Sequence, residues 1–82
     1  MDVEATLRTF VEERFLAPKG KKGVSNDESL LDGGLVDSTG IFEVVGFLEK
    51  TFAIHVDDVE IVPEHFDSIN TLAAFVRSKR AV

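Results

Sequence analysis

The run from Gly33 to Phe52, GGLVDSTGIFEVVGFLEKTF, constrains the fold of this chain more than any other stretch. Gly33-Gly34 lets the backbone turn sharply, Leu35 and Val36 supply a short apolar anchor, and Asp37, Ser38 and Thr39 are residue types that favour helix N-termini. A helix is therefore predicted to begin at Asp37 or Ser38. Behind that start, Ile41, Val44, Val45, Leu48 and Phe52 recur at helical spacing and gather on one side of the wheel, which faces a core. Ser38 then sits in the first turn, its hydroxyl close to backbone N–H groups that have no intrahelical acceptor. Free donors and the positive end of the macrodipole both suit an anion at that position.

Length and charge limit what such a helix serves. At 82 residues the chain is expected to form one domain, and a chain of this size buries only about 60 to 65 per cent of its unfolded surface, too little for a large active-site cleft. Fifteen acidic against nine basic residues give a net charge of −6, which argues against a nucleic-acid partner and for basic protein partners. Seven Phe with no Trp or Tyr, and 44% hydrophobic residues, describe a folded core and not an acidic disordered tail. Without cysteine the chain has no disulfide and no thiol of its own, so any thiol chemistry needs an imported group. No apolar run reaches the roughly 18 residues that span a bilayer, and the start Met1-Asp2-Val3-Glu4 is acidic where a secretory signal is basic. A cytoplasmic monomer with no membrane insertion is expected.

Taken in order, the chain predicts a first helix over about residues 2–15, capped by Asp2 and carrying the apolar stripe Val3, Leu7, Phe10 and Val11. A long loop follows over about residues 16–36, broken by Pro18, Gly20 and Gly23 and holding Lys19, Lys21 and Lys22 in what reads as a solvated, flexible segment. Within it Asp27 to Leu31 is expected to make a helical turn that folds Leu30 and Leu31 onto the core. The central helix covers about residues 37–52. Residues 53–62 alternate at Ile54 and Val56, but an isolated strand would have no partner, so no strand is expected there. Pro63 suits a helix N1 position, giving a short helix over about residues 63–66 with Ile61 and Phe66 turned inward. A last helix over about residues 68–80 buries Ile69, Leu72, Ala73 and Val76 and ends in Arg77, Lys79 and Arg80.

Outside the core stripe, the central helix carries Thr39, Glu43, Gly46 and Lys50, flanked by Phe42 and Phe47, and this side is the expected docking face. Gly40 is expected to weaken the first turn by up to about 1 kcal/mol relative to Ala. Asp67-Ser68 repeats the Asp-Ser pair ahead of a helical pattern, yet it lacks the double glycine and the Leu-Val anchor, so it reads as a plain helix cap. Gly20-Lys21 fails the order of a phosphate-binding loop. His55, Asp57 and Asp58 are close in sequence without metal-ligand spacing, and His65 has no orienting third group that would make a nucleophile–base pair with Ser38.

Leu30-Leu31, Asp32-Gly33-Gly34-Leu35-Val36, Asp37-Ser38 and the amphipathic helix bearing Glu43 and Glu49, set in a small acidic chain, together resemble the acyl carrier and peptidyl carrier protein family. The resemblance runs over nearly the whole chain. It implies an all-α fold, a small antiparallel four-helix bundle of three main helices and a short third one, with a long loop after the first helix. It also implies a non-catalytic protein whose serine in the Asp-Ser motif, here Ser38 beside Asp37, carries covalent 4'-phosphopantetheine from coenzyme A, added by a phosphopantetheinyl transferase. Cargo would ride on that arm as a thioester to synthase and transferase enzymes with basic docking surfaces, which would recognise Thr39, Phe42, Glu43, Gly46, Phe47 and Glu49. Acyl cargo of fatty-acid, polyketide or other specialised biosynthesis is the leading expectation. The order Asp37-Ser38-Thr39-Gly40 looks like stand-alone carriers, including those loaded with amino acids by an adenylating ligase. An unmodified acidic helical adaptor is the alternative from another class.

Overall fold

The computed structural model describes residues 2–21 and 23–80, and within them the protein is a small all-α bundle. Helix α1 spans Val3–Val11, α2 spans Ser38–Phe52, α3 spans Pro63–Phe66 and α4 spans Ile69–Arg80. The core comes from the predicted stripes: Val3, Leu7 and Val11 of α1, Val44, Leu48 and Phe52 of α2, and Ile69, Leu72, Ala73 and Val76 of α4 are all buried. Ile41 and Val45 lie at the edge of this core, half-buried against it. Phe75 joins from α4, tilted against Phe66 at 5.9 Å and stacked on His65 at 4.6 Å.

The first helix does not stop at residue 15, which corrects the expected boundary of the loop. Helical turns continue through a π-helical turn, Glu12–Leu16, and a 3-10 turn, Ala17–Lys19, until Gly20 turns left-handed at φ 72°. Pro18 causes the change of pitch: it has no N–H, and its ring would collide with the carbonyl four residues back in a regular helix. The neighbours Phe15 and Leu16 at the end of this turn are both buried.

The loop that follows is also more fixed than its composition predicts. Lys19 Nζ donates to the carbonyl of Gly34 at 2.6 Å, and Lys21 pairs with Glu28 at 3.0 Å, while Lys22 lies outside the described residues. Asp27 to Leu31 forms turns and no helix, and Val24 and Leu30 plug into the core. Hydrogen bonds stitch this stretch to the corner between α3 and α4: Leu30 N–H to the Asp67 carbonyl at 2.5 Å, Ser29 Oγ to Asp67 Oδ1 at 2.5 Å, and Asn70 N–H to the Asn26 carbonyl at 2.9 Å. The last of these satisfies one of the amides that every helix start leaves open.

Beyond Ala53, which closes α2 in the left-handed region, the connection to Val62 holds no regular element except a 3-10 turn at Asp58–Glu60, closed by a capping box between Asp57 and Glu60. Glu60 also binds Lys79 Nζ of α4 at 2.8 Å, and Arg77 grips Glu4 of α1 with both terminal guanidinium nitrogens. The basic end of α4 thus ties down its neighbours as well as offsetting its own dipole.

Candidate functional site

The site grows out of a turn that the core holds in place. Gly34 takes φ 73°, a conformation glycine adopts without strain. The N–H groups of Leu35 and Val36 both donate to the Leu30 carbonyl at 3.1 Å, and the two side chains are buried. That anchor, with Lys19 clamping Gly34 from the end of the first helical segment, fixes where α2 begins.

Asp37 is the N-cap: its Oδ1 accepts from Gly40 N–H at 2.7 Å, and its carbonyl accepts from Ile41 N–H at 2.9 Å. Ser38 is therefore the first residue inside the helix, exposed, and no hydrogen bond among the described residues engages its hydroxyl. The amides of Ser38 and Thr39 have no acceptor within the helix, so they remain open beside that hydroxyl at the positive end of the dipole.

The second Asp-Ser pair is set one residue out of register and shows the contrast. There Ser68, not the aspartate, is the cap; it is 4% exposed, its Oγ accepts from Thr71 N–H at 3.1 Å, and Thr71 Oγ1 accepts from Ser68 N–H at 2.9 Å. Asp67 is occupied with Ser29 and Leu30. The same dipeptide is a closed cap in one place and an offered hydroxyl in the other.

Gly40 is the site residue that sequence reasoning misjudged. It is buried, and a Cβ there would stand 2.9 Å from Phe15 Cε1, 3.2 Å from Val36 Cγ1 and 3.3 Å from the capping oxygen of Asp37. The glycine is what lets the end of the first helical segment press against the first turn of α2. A glycine in a first turn otherwise well chosen for capping was itself the signal, since such a residue weakens the helix unless something approaches it closely. An open groove of about 350 Å³ runs along this junction between Arg14, Lys19, Leu35 and Thr39.

The expected docking face is only partly assembled. Thr39, Phe42 and Gly46 are exposed, Phe42 with 66% of its surface open. Phe47 turns away from them: its ring stacks on Phe10 of α1 at 4.0 Å and meets Phe52 edge-on at 6.2 Å, because apolar area is better covered at the seam with α1 than left in water. Glu43 is ion-paired with Arg14. Glu49 accepts from Val56 N–H at 3.0 Å and lies 3.5 Å from His55 Nδ1, so it braces the connection after α2. His55 reaches Asp57 with its other nitrogen at 2.9 Å. Among the described residues no three His, Asp or Glu side chains form a group that could hold a metal ion, and no helix is long and apolar enough to cross a membrane.

The bundle thus buries the serine that caps α4 and leaves Ser38 exposed at the positive end of α2. Known proteins of similar length resemble the chain along nearly all of it. The chain is 33% identical to a D-alanyl carrier protein of Streptococcus suis, over 93% of this chain and 92% of that one. It is 32% identical to a D-alanyl carrier protein of Streptococcus sanguinis over 98% of both chains, and 28% identical to a "Probable acyl carrier protein PigG" of Serratia over 96% of this chain and 90% of that one. No family model matches the chain. On these likenesses it belongs to the carrier protein family, that of the acyl carrier and D-alanyl carrier proteins.

Proposed function

We propose that Ser38 is the attachment point of 4'-phosphopantetheine and that the protein, itself without catalytic activity, presents thioester cargo on that arm to partner enzymes. The observation that carries this reading is the unengaged, exposed hydroxyl at the first position of α2, with the open amides of Ser38 and Thr39 beside it. Those residues fit a phosphodiester: the donors and the dipole favour its charge, and Asp37, by capping through Gly40 N–H, holds the turn that aims Ser38 outward. When bound, the group supplies a terminal thiol, which this cysteine-free chain lacks. The chain's own part is position, since tethering raises the concentration of cargo at each docked enzyme.

An aminoacyl group loaded by an adenylating ligase is the cargo best supported. Two relatives named above are D-alanyl carriers, which supports an amino acid as the cargo. The Serratia relative, with an acyl carrier's name, supports a second reading in which the cargo is an acyl chain of specialised biosynthesis. Incubation with coenzyme A and a phosphopantetheinyl transferase, followed by intact-mass measurement, tests the attachment: the wild type gains one phosphopantetheine and Ser38→Ala gains none. The same mass gain in both proteins, or none in the wild type, would refute it. The mass of the thioester trapped in cells separates an amino acid from a longer acyl chain.

A further inference from the structure

The last turns of the first helical segment deliver three side chains to the mouth of α2. Arg14 pairs with Glu43, Phe15 lies against Gly40, and Lys19, the final residue of the 3-10 turn, reaches the Gly34-Leu35 turn. The first two touch α2 within the helix, whereas Lys19 acts ahead of it, on the backbone from which the helix starts. Its ammonium donates to the Gly34 carbonyl at 2.6 Å and to the Leu35 carbonyl at 3.5 Å, two acceptors that a group with three donors serves at once. Among the described residues no other donor reaches either carbonyl.

The bonds at the other end of the same peptides give this contact its meaning. A peptide unit is planar, so the Gly34 carbonyl turns together with the Leu35 N–H, and the Leu35 carbonyl with the Val36 N–H. Both of those N–H groups are held by the Leu30 carbonyl at 3.1 Å. Each plane is therefore fixed at both ends, through its N–H by Leu30 and through its C=O by Lys19. Without the ammonium each keeps a single hold and is free to rotate next to Gly34, whose φ of 73° belongs to the residue type with least resistance to such a change. We infer that Lys19 is a positioning residue for the modification of this protein: by locking two successive peptide planes it sets where the Ser38 hydroxyl is offered to the phosphopantetheinyl transferase. It acts through the turn and not on the reacting atoms. A displacement of about 1 Å at a reacting group is enough to slow a step by up to about a hundredfold.

This inference rests on Ser38 being the modified residue, and the test reads the turn and the transfer separately. Rates of phosphopantetheine transfer are measured with coenzyme A and a phosphopantetheinyl transferase for the wild type, Lys19→Met, Lys19→Arg and Lys21→Met. The last removes an equal charge from the same loop, where Lys21 pairs with Glu28. Amide hydrogen exchange at Leu35 and Val36 is followed in the same unmodified proteins, with circular dichroism confirming that each is folded. Because Lys19 is exposed, loss of its ammonium leaves the fold intact. The expected result for Lys19→Met is a loss of about fivefold or more in kcat with KM for the carrier within about twofold of wild type. Its Leu35 and Val36 amides should exchange about fivefold or more faster while those of Leu72 and Val76 in α4 do not change. Lys19→Arg, which keeps the charge and the donors, should recover most of both losses, and Lys21→Met should stay within about twofold of wild type. A Lys19→Met rate within about twofold of wild type, a loss carried by KM, an equal loss in Lys21→Met, or unchanged exchange at Leu35 and Val36 overturns the positioning role while leaving Ser38 modified. A wild type that takes up no phosphopantetheine removes both readings together.

Discussion

Gly40 and Gly46 lie in one helix, and the structure predicts that the same substitution has opposite effects at the two. Replacing glycine by alanine in a helix interior ordinarily stabilises by about 1 kcal/mol, because the backbone has less freedom to lose on folding. At Gly46 nothing stands within 4 Å of the added methyl, so the full gain is expected. At Gly40 the methyl would arrive 2.9 Å from Phe15 Cε1, inside any ordinary carbon–carbon contact, and 3.2 Å from Val36 Cγ1. Phe15 has little room to retreat: it is buried and meets Phe10 edge-on at 5.8 Å, and Phe10 is stacked on Phe47 at 4.0 Å. Overpacking of this kind costs about 2–3 kcal/mol, which outweighs the helix gain and leaves a net loss of about 1–2 kcal/mol. For a domain of this size each kcal/mol moves the melting temperature by about 4–8 °C, so Gly40→Ala should melt about 4–16 °C below wild type and Gly46→Ala about 4–8 °C above it. Thermal unfolding followed by far-ultraviolet circular dichroism reads both. A Gly40→Ala protein that melts at or above the wild-type temperature would refute the claim that close approach of Phe15, and not tolerance of a weak helix start, explains this residue.

Ser68→Ala removes a buried, reciprocally bonded cap and should lower stability by about 1–2 kcal/mol in denaturant titration, whereas Ser38→Ala should stay within about 0.5 kcal/mol of wild type. Ala53 closes α2 in the left-handed region at φ 55°, so Ala53→Gly should raise stability by about 0.5–1 kcal/mol, and a loss would show that the Ala53 side chain contributes something the geometry does not reveal. Three carboxyls are held below the ordinary value of 4.5 by hydrogen bonds from cationic partners: Glu4 by Arg77, Glu28 by Lys21 and Glu60 by Lys79. Their folded-state values are depressed, so the unfolded chain binds these protons more readily; the stability they contribute is complete above about pH 4.5 and is lost as pH falls through the lower folded-state values. Acid titration of the melting temperature should show that decline, and replacing all three glutamates by glutamine should flatten it.

The central helix was legible because its information is local. Capping residues, a double glycine and a repeat of apolar positions specify where α2 starts and which side it buries, whatever packs against it. Ser38 could be singled out from Ser68 for the same reason, through the Gly33-Gly34-Leu35-Val36 context ahead of it. The acids of α2 and the lysines of the loop read differently in sequence than in structure. Their role depends on which side chain from elsewhere arrives next to them, and the pairs Arg14–Glu43 and Lys19–Gly34 join residues far apart in the chain.

Caps, turns and apolar periodicity placed the main helices and an exposed serine at the mouth of the second, since both follow from short-range backbone preferences and the need to bury one face, while the all-α bundle as a whole was an expectation from the family resemblance. Only the tertiary structure decided that Pro18 widens the first helical segment instead of ending it, that Phe15 then rests on Gly40, and that Phe47 turns inward while Phe42 stays in water. Those outcomes depend on the distance between surfaces brought together by folding, a quantity that no local pattern encodes.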